Sequence, residues 1–210
     1  MFIFDTLILL LNGIDIPKGE IKAVELKKRV SKLFDRIKIS IERSKDLKDS
    51  DYTVAGFYIE ELKRIELLLI LPKKAKGLMT IDDPNQLRFY LAQTIQHEYI
   101  HHRQFLKRSE IPTDSFSMCP KARGEKKYLA ERDEIDAYSY DVAIEVYRYG
   151  WKESQTLQIY RRQFEMHHPV MKRLLKKTYK NLGVLYAKYG RINESYNGRS
   201  TQDIEQGKYS

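Results

Sequence analysis

Cysteine is almost absent from this chain: Cys119 stands alone among 210 residues. One thiol excludes an intramolecular disulfide, and with it the cross-linked framework that many small secreted domains use in place of a large core. A cytoplasmic or otherwise reducing setting is the expectation. A long apolar run is lacking too. The most apolar stretch, MFIFDTLILLLNG, carries Asp5 in its middle, has no basic segment ahead of it and is too short to span a bilayer. It reads as a buried strand or a short core helix, with an uncleaved signal sequence as the alternative, and no membrane partner is expected. No internal repeat or extended low-complexity tract is visible.

What is present is ample apolar content, 42% of 210 residues, enough to bury a core in one domain with appendages. The formal net charge of +9 describes a basic surface that favours anionic partners without naming one; a solvated lysine-rich surface is the simpler explanation.

Along the chain, Leu26, Val30, Leu33, Ile37 and Ile41 recur at three- and four-residue spacing between basic residues, which predicts an amphipathic helix over Glu20 to Lys45. Two β-prone runs follow, Tyr52 to Ile59 and Arg64 to Leu71, separated by a short charged connection and stopped by Pro72. They predict an antiparallel hairpin, with a helix over Glu60 to Leu71 as the alternative. In DDPNQL, Asp83 suits the N-cap, Pro84 the first helical position and Gln86 the third, so a helix should run from Pro84 to about Lys107. Leu87, Leu91, Ile95, Tyr99 and Leu106 would face its core side, with Tyr90, Thr94, His97 and His101 on the adjoining stripe.

The stretch QHEYIHH holds three of the chain's five histidines. Histidines four apart on a helix project from one face, close enough for both imidazoles to reach one zinc ion at about 2.0–2.1 Å. Glu98, next to His97, then sits where it can take a proton from the water that the metal activates. His102 breaks the spacing and is expected to pack or hydrogen-bond instead. A catalytic zinc takes a third protein ligand. Glu134 offers one, in a segment ending at Gly150, on the stripe Ala130, Glu134, Ala137, Asp141, Ile144. Alanines one turn to either side let another helix come near, and Asp141, two turns on, is placed to orient a ligand histidine. Glu131 is the main rival, and His167 or His168 of MHHP another, although Pro169 marks that spot as a turn.

HEYIH followed by EIDA resembles the gluzincin group of zinc metallopeptidases, over roughly Tyr52 to Gly150. The resemblance implies Zn2+ held by His97, His101 and Glu134, with Glu98 as general base and proton shuttle. It also implies an α+β fold: a mostly helical zincin-like domain with a small antiparallel sheet or hairpin packed on the HExxH helix, whose edge strand aligns an extended peptide. Several gluzincins carry an aspartate four residues after the glutamate ligand, where this chain has Tyr138. No oxyanion-stabilising residue is singled out; Tyr138 and Tyr140 are candidates, and Cys119 reads as a plain loop cysteine.

The expected organisation is a zincin-like domain over 1–150, a helical extension over 151–190 and a flexible tail over 191–210. In the extension, Lys172, Arg173, Lys176, Lys177 and Lys180 give a basic face to a helix starting near Pro169. The function expected is zinc-dependent endopeptidase acting on a protein or peptide substrate. One alternative is a nucleic-acid-associated HExxH protease or binding module, whose basic surface would hold nucleic acid weakly. Another is a noncatalytic, phage-derived structural protein with a zinc site.

Overall fold

The computed structural model describes residues 3–34, 37–48, 52–110 and 124–190; Cys119 and the expected tail over 191–210 lie outside them. The chain divides into two compact units, Met1–Ala122 and Arg123–Ser210, and is mixed α+β.

The first unit runs α1 (Phe4–Asn12), β1 (Gly19–Lys22), α2 (Ala23–Ser31), β2 (Ile37–Ser44), β3 (Thr53–Ile59), β4 (Arg64–Pro72), β5 (Leu78–Ile81) and α3 (Pro84–Lys107). The apolar N-terminal stretch is the short helix of the two expected forms, with Leu7 and Leu11 turned inward. The long helix expected over Glu20 to Lys45 is corrected. Only Ala23–Ser31 is helical, and the segment beyond it is strand β2, parallel to β4 from Ile37↔Ile65 to Ser44↔Pro72. Ile37, Ile39 and Ile41 satisfy a period of two as well as the tail of a helical stripe. β-branched side chains fit a pleated surface better, and β4 supplies the partner that decides between the two.

The hairpin forms with β3 and β4 in register from Thr53↔Ile70 through Gly56↔Leu67 to Ile59↔Arg64, so the helical reading of Glu60 to Leu71 is excluded. The strand order β2-β4-β3 makes this sheet mixed rather than purely antiparallel. β4 is its centre, and its run Leu67, Leu68 and Leu69 is buried without a break, so both faces of the strand are covered there where a one-sided strand would alternate. A separate antiparallel pair, β1 with β5, was not anticipated. The hairpin's turn is tied to the far end of α3: Glu60 is buried and accepts from Arg108 Nη2 at 2.9 Å. Nearer the helix middle, Tyr58 Oη and His102 Nδ1 are hydrogen-bonded at 2.9 Å.

Helix α3 starts as the sequence predicts, with Asp83 as N-cap accepting from Asn85 N at 2.8 Å and Pro84 in the first turn. Leu87, Leu91 and Ile95 enter the same core as Leu11, Leu26, Ile39 and Leu69. Tyr99 is only half-buried and Leu106 is exposed, a departure from the expected core face; Ile100 and Phe105 are the buried apolar residues at that end of the helix. Leu91 is fully buried, so Leu91→Ala is expected to cost about 2–5 kcal/mol, through lost burial and the cavity left behind. Chemical denaturation of the two proteins, read as a shift in midpoint at constant slope, checks this.

The second unit contains α4 (Glu125–Ala130), α5 (Arg132–Tyr149), α6 (Gln155–Gln163) and α7 (Pro169–Tyr189). The stripe drawn from Ala130 through Glu134 is interrupted: Glu131 between them is extended, at φ −64° and ψ 141°, ending α4 and capping α5. Gly150 stops α5 as expected, at φ 91°. Ser154 Oγ, which caps α6 by accepting from Leu157 N, donates in turn to buried Glu145 at 2.7 Å, and Thr156 donates to the same carboxylate through both N and Oγ1. Leu174, Leu182 and Leu185 of α7 are buried, Asn181 Nδ2 donates to Ser139 Oγ of α5 at 3.0 Å, and Lys177 pairs with Asp136. Lys172, Arg173, Lys176 and Lys180 face solvent. No helix among the described residues is long and apolar enough to cross a membrane.

Candidate metal centre

Helix α3 is anchored along its N-terminal half. Gln96 Oε1 accepts from Ile3 N at 2.7 Å, and Arg88 donates to the backbone carbonyls of Leu11 and Ile14, so the N-terminal segment is tied to α3 by polar bonds as well as by packing. On the adjoining face His97 and His101 are both buried, one turn apart. Their Nε2 atoms stand 3.2 Å apart. Two nitrogens at about 2.0–2.1 Å from a tetrahedral ion are separated by about 3.3 Å, so the pair is already at the spacing that a shared metal requires.

His101 Nδ1 lies 2.9 Å from Gln104 Oε1. With Nδ1 as the donor in this contact, Nε2 is the nitrogen that offers a lone pair to a metal. This is the arrangement by which an outer partner orients a metal-binding imidazole. Sequence reasoning passed over Gln104, although its i+3 spacing from His101 on the same helix would have exposed it.

Glu134, near the start of α5, is buried at 5% exposure. One ligand atom from each of His97, His101 and Glu134 lies within 4.8 Å of the others, and no second group of this kind occurs among the described residues. Two imidazoles and a carboxylate are a donor set suited to zinc and its first-row neighbours. Withdrawing all three from water carries a desolvation cost that coordination of a cation offsets. The residues present therefore fit a divalent metal.

The other histidines and the rival carboxylate are not among the grouped donors. His102 turns to Tyr58, as its spacing suggested. Burial, together with the nearby Glu60 and Glu110 carboxylates, raises the Tyr58 phenol above its ordinary pKa and keeps it a neutral hydrogen-bonding partner at physiological pH. His168 caps α7, its Nδ1 accepting from Val170 N at 3.2 Å, and exposed His167 pairs with Glu165, so MHHP is a helix start. Glu131, the rival carboxylate, sits at the break before α5 and is not one of the grouped donors. Asp141 is buried on the Glu134 face of α5. Tyr138 packs edge-on against Tyr160, with ring centroids 5.7 Å apart.

Glu98 is buried beside His97 and lies against the backbone of strand β3 at Gly56, whose absent side chain leaves room for it. That contact carries no signal in the linear sequence, because 42 positions separate the two residues. No family model, curated protein or solved structure matches the chain.

Proposed function

We propose that the chain is a zinc-dependent endopeptidase of the gluzincin type. The observation that carries this reading is the convergence of His97, His101 and Glu134 within 4.8 Å, with the buried carboxylate of Glu98 next in sequence to the first of them. His97, His101 and Glu134 hold the ion, and Gln104 keeps His101 in the tautomer that can donate to it. When bound, a divalent zinc supplies a Lewis acid that polarises a carbonyl and brings the pKa of a coordinated water towards about 7. Glu98 accepts the proton of the attacking water and returns it to the leaving amine, so no covalent acyl-enzyme forms.

A place for the substrate is supported by the sheet. Among the described strands β3 is an edge of the order β2-β4-β3, and Gly56 on it adjoins Glu98. An extended peptide can add to such an edge through main-chain hydrogen bonds. Its scissile bond would then lie beside the base.

The test is incubation of the zinc-loaded protein with a mixed peptide library, followed by mass spectrometry. New termini should appear, vanish with a chelator and return on adding zinc. Stoichiometric zinc without cleavage of any peptide overturns the peptidase reading in favour of a noncatalytic metal-binding protein.

A further inference from the structure

We infer that Gly56 is a positioning residue for Glu98, an inference that rests on the peptidase reading above. Gly56 is not among the glycines with positive φ, so its backbone conformation is open to any residue and does not call for glycine. Space does. A Cβ added at position 56 would lie 2.7 Å from Thr94 Cγ2, 2.8 Å from Glu98 Cγ and 3.0 Å from Glu98 Oε1. Carbon atoms in favourable contact stand about 3.5–4.0 Å apart, so the two carbon approaches are well inside contact distance, and the approach to the oxygen is tight as well.

Something must yield, and the surroundings determine what. Strand β3 is paired to β4 along its whole length, from Thr53 to Ile59. Two residues beyond Gly56, Tyr58 is bonded to His102 of α3, and Glu60 to Arg108 just after that helix. The strand is therefore stitched to the end of α3 and cannot simply lift away. Thr94 is β-branched and has few χ1 options on a helix. Glu98 has the longer and more adaptable side chain, so its carboxylate is the group that moves. With glycine at 56, the strand backbone instead confines Glu98 from one side. A general base displaced by about 1 Å loses about 10²-fold in rate, which is the scale on which this confinement acts.

The experiment compares wild type with Gly56→Ala in zinc content, steady-state kinetics on a peptide that the wild type cleaves, and a crystal structure of the zinc-loaded variant. The expected result is unchanged zinc, KM close to wild type, kcat lower by about 10²-fold and a displaced Glu98 carboxylate. Adding Thr94→Ser to Gly56→Ala should leave kcat low, because the contact with Glu98 remains. Recovery of kcat in that double variant would show that crowding of Thr94 caused the loss and would overturn the inference, as would an unmoved carboxylate or unchanged kcat in the single variant. Should Gly56→Ala fold poorly, its thermal midpoint is compared with that of Gly56→Ala/Glu98→Ala. Removing the Glu98 side chain should raise the midpoint, and equal midpoints overturn the inference. If the wild type cleaves nothing, the peptidase reading fails by itself, and the position of Glu98 in the variant structure still decides whether Gly56 places it.

Discussion

Replacing His97, His101 or Glu134 with alanine is expected to abolish stoichiometric zinc binding, whereas the parent protein should hold about one zinc per chain. Each substitution removes one of three donors, and two remaining protein ligands leave the ion largely to water. Loss even of an outer partner commonly weakens metal affinity by about 10–100-fold, so loss of a direct ligand should exceed that and Gln104→Ala should fall within it. His102→Ala is the internal control. It deletes the bond to Tyr58 but no donor of the group, and it should bind zinc as the parent does. Because coordination draws on the folded arrangement, zinc should also raise the thermal midpoint of the parent and not that of the three ligand variants. Elemental analysis of the purified proteins reads the first effect and a thermal melt the second. Equal zinc in wild type and His97→Ala would remove the basis of the site.

Glu98→Gln separates binding from chemistry. The amide is nearly the size of the carboxylate, so it keeps the packing against Gly56 and should leave zinc content and folding as they are. It cannot take a proton from water at neutral pH. Hydrolysis should therefore fall by at least the roughly 10²–10⁴-fold that general acid–base groups contribute. The measurement is the rate at one identified peptide bond, with chelator sensitivity checked in both proteins. Chelator-sensitive cleavage at the wild-type rate in Glu98→Gln would show that another group is the base and that the mechanism proposed here is wrong.

The parts of this protein legible in the sequence are those set within a few residues. The start of α3 at Asp83 and Pro84 is a local capping event, and the one-turn separation of His97 and His101 follows from helical geometry alone. The β3–β4 hairpin could be read from β-branched and apolar runs around a charged turn, and the stop of α5 from Gly150. His102 was set apart by spacing, and MHHP was recognised as a turn by Pro169.

Tertiary structure decided whatever depended on a partner distant in sequence. Ile37, Ile39 and Ile41 suit either a helical stripe or an alternating strand, and β4 settles the choice because only a strand there completes the hydrogen bonding of the sheet. The parallel pairing of β2 with β4 and the separate β1–β5 pair join segments whose order along the chain says nothing about register. The extended Glu131 between α4 and α5 breaks a stripe that propensity alone would have continued. The residue-type pattern nominated Glu134 together with its rivals Glu131, His167 and His168. Three-dimensional placement singles out Glu134, because a donor set is defined by distances of a few ångströms between atoms. Gly56 shows the same division most plainly. A glycine inside a strand looks like a weak point in sequence, and only its approach to Glu98 gives the missing side chain a physical reason.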